Sequence, residues 1–294
     1  MSWRYTTDGG GREIGIEFTW GVAEDSLDPL TLELVNPAVL GGTIAGLMFF
    51  GILGSLAGGR WIGKRVIARH GESGAPSNIG SLENAVFALL GLMIAFTFAG
   101  GLTRFDVRRA QAVEEANAIG TAYLRLDLLP ATAQPRLRES YRSYVDSRIA
   151  TYRKLPDIAA ARAELERSRA LQGEIWSQAV AAIHLPGARP QAELLLLPAL
   201  NDMFDITTTR VVATQMHPPT IIYAMLIGLA LGAALLAGYQ SAGEKAHNWL
   251  HQFGFAGIMA FTVYVILDIE YPRLGFVRID AIDKVLVDVR GSMK

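Results

Sequence analysis

The sequence has no cysteine, which excludes disulfides, thiol nucleophiles and thiolate-held zinc or iron–sulfur clusters. It is also short of charge, with 19% of its 294 residues Asp, Glu, Lys or Arg against about a quarter in an ordinary globular chain. Neither sign dominates: 27 basic and 28 acidic residues leave a net charge of -1, so there is no basic field to draw in a nucleic acid, and no such partner is expected. Nucleotide and hydrolase signatures are missing as well. The glycine run Gly9-Gly10-Gly11 does not open a helix with Lys-Ser/Thr, and there is no Gly-x-Ser-x-Gly elbow. An enzyme is not expected, and no cofactor is implied.

What the sequence does have is long uncharged apolar runs. Val39 to Ala57, Ala85 to Leu102 and Ile221 to Tyr239 each approach the roughly 20 residues that span a bilayer, and the fourth run, Phe253 to Leu267, is shorter and reads as a span over about 250–267 when Leu250 extends it. The expected fold is an all-α integral membrane protein with four transmembrane helices, multi-pass in a bacterial inner membrane, with lipid as an obligatory partner. Met1 to Asn36 mixes charge and glycine without the continuous apolar core of a signal peptide and reads as an irregular segment. The expected organisation is residues 1–36 irregular, 37–102 a first helix pair, 103–219 a helical extramembrane domain, 220–268 a second pair and 269–294 a tail. In that tail the alternation of Val285, Val287 and Val289 predicts a short β-hairpin.

Small residues at four-residue spacing, among them Gly42/Gly46, Gly54/Gly58, Gly91/Ala95/Ala99 and Ala224/Gly228/Gly232, mark faces where helix backbones can approach closely in lipid. The segment 103–219 is rich in Ala, Leu, Arg and Glu and punctuated by Pro130, Pro135, Pro156, Pro186, Pro190 and Pro198, a pattern of several helices. The second span either continues as a stalk to about Leu129 or breaks at Gly100-Gly101. Arg60, Lys64, Arg65 and Arg69 follow the first span with only Glu72 opposing, which places that short connection in the cytoplasm and the helical domain outside.

Along the second span Glu83, Phe87, Leu90, Ile94, Thr97, Gly101, Arg104 and Arg108 step by threes and fours and so share one helix face. In a ring of subunits this stripe would form an apolar constriction with a cationic mouth. Otherwise the arginines snorkel to lipid phosphates and the apolar face touches a neighbouring span. Beyond it, Asp106, Glu114, Glu115, Asn117 and Arg125 make a polar stalk; Arg108 and Arg109 stand about six residues before Glu114 and Glu115, too far for i,i+4 pairing, so these charges should meet other helices or subunits. Asp268 and Glu270 close the fourth span, where they would bind a cation, pair with Arg104, or simply face water. Glu244, His247 and His251 at i, i+3 and i+7 are the only weak metal candidates, and no metal site is expected from them.

The stretch Phe87-Ala88-Leu89-Leu90-Gly91-Leu92-Met93-Ile94-Ala95-Phe96-Thr97-Phe98-Ala99-Gly100, with Arg104-Phe105-Asp106 and Glu114-Glu115-Ala116-Asn117 beyond it, resembles bacterial membrane proteins carrying a bestrophin-like domain. The likeness runs from the first span to Asp268-Ile269-Glu270-Tyr271-Pro272-Arg273. It implies a four-span subunit assembled in a ring, as bestrophin anion channels are, with the second span lining the pore. A homo-oligomeric channel for inorganic anions is therefore the first functional expectation, and a membrane-anchored sensor or scaffold whose helical domain binds a partner is the second.

Overall fold

The computed structural model describes residues 2–7, 13–19, 37–70, 79–155, 157–243, 249–271, 277 and 280–293. The chain divides into two units, Met1–Val35 and Asn36–Lys294. In the first, expected to be irregular, strands β1 (Ser2–Thr7) and β2 (Glu13–Thr19) pair antiparallel, Trp3 opposite Phe18 and Tyr5 opposite Ile16. These aromatic and β-branched residues favour the pleated state.

The second unit is all-helical among the described residues: α1 (Pro37–His70), α2 (Ile79–Arg125), α3 (Gln134–Arg153), α4 (Ile158–Ile183), α5 (Ala192–Gln215), α6 (Thr220–Gln240), α7 (Trp249–Glu270) and α8 (Asp280–Ser292). Among the described residues four helical stretches are long and apolar enough to cross a membrane, and they overlap the four expected spans. Helices outrun the apolar runs: Arg60, Lys64, Arg65 and Arg69 lie on the last turns of α1 rather than in a loop. Local signals start the shorter helices. Pro135 stands in the first turn of α3, where its missing N–H costs nothing, and the Asp157 side chain caps α4 by accepting from Ala160 N at 2.9 Å. Pro198, which reads as punctuation, lies inside α5.

Two cores form, and α2 serves both. The first gathers Met48, Ile52 and Leu56 of α1, Leu90 of α2, Leu226 and Ala230 of α6, and Met259 and Val263 of α7. The second gathers Ile119 and Tyr123 of α2, Tyr141 and Tyr144 of α3, Ile175 of α4, Leu200 and Met203 of α5, and Leu286 of α8. At 47 residues α2 is about 70 Å long, and it runs unbroken through Gly100-Gly101. The tail is a helix, not the expected hairpin. Leu286 and Met293 are buried and Val285 and Val289 pack beside them, a repeat of 3.6 that buries one face on the second core and leaves Val287 exposed, whereas a strand would have put the three valines on one face and Leu286 on the other.

The close glycine contacts are not those the four-residue spacing picks out. A Cβ built on Gly42, Gly46, Gly54, Gly91, Gly228 or Gly232 meets nothing within 4 Å. On Gly59 it would fall 2.0 Å from Leu235 O, and on Gly238 2.1 Å from Leu56 O, so α1 and α6 touch backbone to backbone there. Gly59→Ala and Gly238→Ala should each cost about 1–3 kcal/mol through forced backbone shifts, while Gly54→Ala and Gly232→Ala should stay within about 0.5 kcal/mol of wild type. Unfolding of the detergent-solubilised variants checks this, and equal costs at all four positions would refute the crossing.

Candidate functional site

Functional geometry concentrates on α2, at two levels. The lower level is the end of the membrane bundle, where α5 and α7 terminate against α2. Arg108 donates from Nε to Ala213 O at 3.1 Å, from Nη2 to Met216 O at 3.1 Å and from Nη1 to Glu270 O at 2.8 Å. One guanidinium thus occupies terminal carbonyls of two helices, groups that have no partner inside their own helix. The Glu270 carboxylate, 1% exposed, compensates the charge: Arg104 grips it from Nε at 2.9 Å and Nη2 at 2.8 Å, and His217 Nδ1 lies 3.2 Å away. The imidazole stacks on Tyr271 at 4.6 Å between centroids. Asp268 points elsewhere, accepting from Val277 N at 2.7 Å.

The upper level is a buried ion network. Glu115 is fully buried and takes Arg148 Nε on one oxygen at 2.6 Å and Arg210 Nη1 on the other. Arg148 Nη2 donates to Tyr152 Oη at 2.6 Å, Arg210 lies 4.2 Å over the Tyr152 ring, and Arg210 Nη2 reaches Asp283 Oδ1 of α8 at 3.3 Å. Two guanidiniums therefore meet two carboxylates. Burial works against the Arg148 charge, but Tyr152 and Glu115 outweigh it and hold its pKa above the ordinary arginine value. Burial also pushes the neighbouring Tyr144 phenol up to about 12, although its hydroxyl bonds Thr207 Oγ1 at 2.8 Å.

The stripe from Glu83 to Arg108 faces the subunit's own helices. Phe87 meets Phe255 edge to face at 5.7 Å, Leu90 is 2% exposed, Ile94 packs on the first core and Thr97 returns its hydroxyl to Met93 O at 2.7 Å. Glu83 is half-buried. Of the stalk residues, Glu115 is buried in the network, Arg125 donates to Leu195 O at 2.5 Å, and Glu114 and Asn117 are exposed. Asp106 is also exposed and faces Arg109 at 3.5 Å. His251 is exposed, Glu244 and His247 lie outside the described residues, and no cluster of metal-ligating side chains occurs among the described residues. Sequence reasoning missed Arg148, Arg210 and Asp283. The one available signal was Glu115 itself, a carboxylate set between the apolar Ala112 and Ala116 with Ile119 one turn on, on what proves to be the packed face.

A bundle of four spanning helices, with one of them continuing into a second helical core, defines a multi-pass membrane protein. The family described as Bestrophin-like domain matches residues 50–282, and the chain belongs to that family. No curated protein and no solved structure matches the chain significantly.

Removing the shared carboxylate tests the upper level. Glu115→Ala leaves two buried guanidiniums facing each other and should cost about 3–5 kcal/mol, whereas Glu115→Leu combined with Arg148→Met should recover part of that loss. Denaturant titration of the purified chain reads both values, and a loss below about 1 kcal/mol for Glu115→Ala would show that the second core does not depend on the shared carboxylate.

Proposed function

We propose that the chain assembles as a homo-oligomeric ion channel, with copies arranged around an axis lined by α2. The observation that carries this reading is the division of α2 into two faces. One is committed to the subunit's own bundle, while Ala88, Gly91, Ala95, Ala99, Leu102 and Asp106, again in steps of three and four, stand open along the other. On this reading the stripe of Phe87, Leu90, Ile94 and Thr97 anchors the helix, and the small residues behind it line the passage, with Leu102 as the apolar narrowing that gates by dewetting. Arg104 and Arg108 face one shared carboxylate, Glu270. Around this level Arg104, Arg108 and Arg109 outnumber Asp106 and Glu270, and that net positive charge supports anions over cations as the conducted species.

The cysteine-free chain suits a direct test. In planar bilayers under a salt gradient, wild type should conduct with an anion-selective reversal potential. A bulky thiol reagent should block Ala95→Cys and spare Ile94→Cys; block at Ile94→Cys alone would return the pore to the other face. Silence from every variant, with folded oligomers confirmed, favours the second reading, a membrane-anchored scaffold. That reading has one observation of its own: beyond the membrane bundle Leu124 and Leu194 are 70% and 77% exposed, an apolar pair that suits a protein partner.

The reading includes an orientation in a bacterial inner membrane. The basic end of α1 lies in the cytoplasm and helices α3 to α5 lie outside. A reporter active only in the periplasm, fused after Arg169, should be active, and activity of a cytoplasm-only reporter at that position would invert the subunit.

A further inference from the structure

Between the two charged levels of α2 there is a groove of about 420 Å³ that neither level uses. Val107 and Gln111 of α2 form one wall, Asp205, Thr208 and Val212 of α5 the other, and Met216 closes the lower end. Arg210, the one cation on this stretch of α5, turns away into the Glu115 network, and Arg108 is engaged with the ends of α5 and α7. No basic side chain lines the groove. Beside the Thr208 and Thr209 hydroxyls and the Gln111 amide, the ionisable group in its lining is the acceptor Asp205. Gln111 Oε1 is shielded from water and receives no hydrogen bond, an unfavourable state for a buried acceptor. The Asp205 carboxylate stands on the opposite wall. The remaining surface is largely apolar, supplied by the valines, Ala213 and the Met216 side chain.

We propose that this groove binds a primary ammonium compound with a short apolar body, the ammonium donating to Gln111 Oε1 and Asp205 and the apolar part lying along Val107, Val212 and Met216. The complementarity follows from the inventory of groups. An ammonium carries three donors and no acceptor, so it can satisfy the amide oxygen and the carboxylate at once. A neutral alcohol has one donor and cannot. An anion would meet Asp205 without a compensating cation. A volume of about 420 Å³ falls in the range of small-molecule pockets and admits a body of several carbons. Because the walls belong to two helices that also meet at Arg108, an occupant would bridge α2 and α5 between their two ionic contacts. The site is separate from the proposed conduction path, so its test does not depend on the channel reading.

Thr208→Cys gives the chain a single thiol at the groove wall. In nanodiscs, n-hexylammonium should slow modification of that thiol by a neutral thiosulfonate reagent in a saturable manner, while n-hexanol at equal concentration should have little effect. The concentration for half-protection should rise at least tenfold in Asp205→Asn and also in Gln111→Leu, with the melting temperature of each variant confirming that it folds. Val212→Trp, which fills the groove, should abolish protection. A Cys introduced at exposed Asn117, outside the groove, should be indifferent to the amine in every background. Equal protection by hexanol and hexylammonium, protection unchanged by Asp205→Asn, or equal slowing at Asn117→Cys would each overturn the proposal, as would the absence of saturable protection in the folded Thr208→Cys protein.

Discussion

Arg108 stands where two helices stop and a third does not. The C-terminal carbonyls of α5 and α7 have no partners of their own, and at the end of an apolar bundle water is a poor substitute. A guanidinium with a planar fork of donors serves several carbonyls from one side chain, and Arg108 reaches Ala213, Met216 and Glu270 in this way. Its charge then needs an answer in the same place. Glu270 supplies the carboxylate, and Arg104, one turn earlier on α2, makes the grip on that carboxylate bidentate. With both helix ends tied to its flank, α2 passes through Gly100-Gly101 without a break. The cost of about 1 kcal/mol for each glycine in a helix interior is small beside charge-assisted bonds of about 1.5–3 kcal/mol each.

The two cores on either side of this junction are held by different physics. Among the spanning helices lipid is as apolar as the side chains it would replace, so association rests on close approach and dispersion rather than on removal of water. That is why the tightest contacts are backbone to backbone, at Gly59 against Leu235 and at Gly238 against Leu56. Above the junction, burial of Tyr141, Tyr144, Ile175 and Leu200 is driven by the hydrophobic effect, and large side chains take over from glycine. The helix α2 changes character with its surroundings, from Leu90 and Ile94 to Ala116, Ile119 and Tyr123 on the packed side.

The spanning helices were legible because an uncharged apolar run of nearly 20 residues has little use outside a bilayer, and the pairing of Glu270 with Arg104 was among the alternatives that residue types at a membrane boundary offered. Other features were ambiguous for identifiable reasons. Val285, Val287 and Val289 satisfy a strand period as well as they decorate a helix, and only the buried partners Leu286 and Met293 decide between the two. Small residues recur throughout apolar helices, so spacing alone could not separate Gly59 and Gly238 from Gly54 and Gly232. Arg148 and Arg210 sit in segments whose composition matches any solvated helix. Their burial depends on where α3 and α5 fall around Glu115, a tertiary fact that no local window contains.

The Glu115 network is best understood as setting register rather than as adding strength. Apolar residues of similar volume are often as stable as a buried ion network, and the second core already has ample apolar surface. What apolar contacts do not do well is forbid a small slide of one helix along another. Glu115 accepts Arg148 of α3 and Arg210 of α5, and Arg210 in turn meets Asp283 of α8, so four helices share one arrangement of charges. About 10 to 16 Å below, at about 1.5 Å per residue, Arg108 and Arg104 impose a second such arrangement with Glu270. Moving α2 by a single residue would turn it through about 100° and break both sets of pairs together. The helix is thereby pinned at two heights, and a displacement imposed at one level must pass to the other as motion of a rigid rod, because neither end can yield alone without exposing an unpaired buried charge.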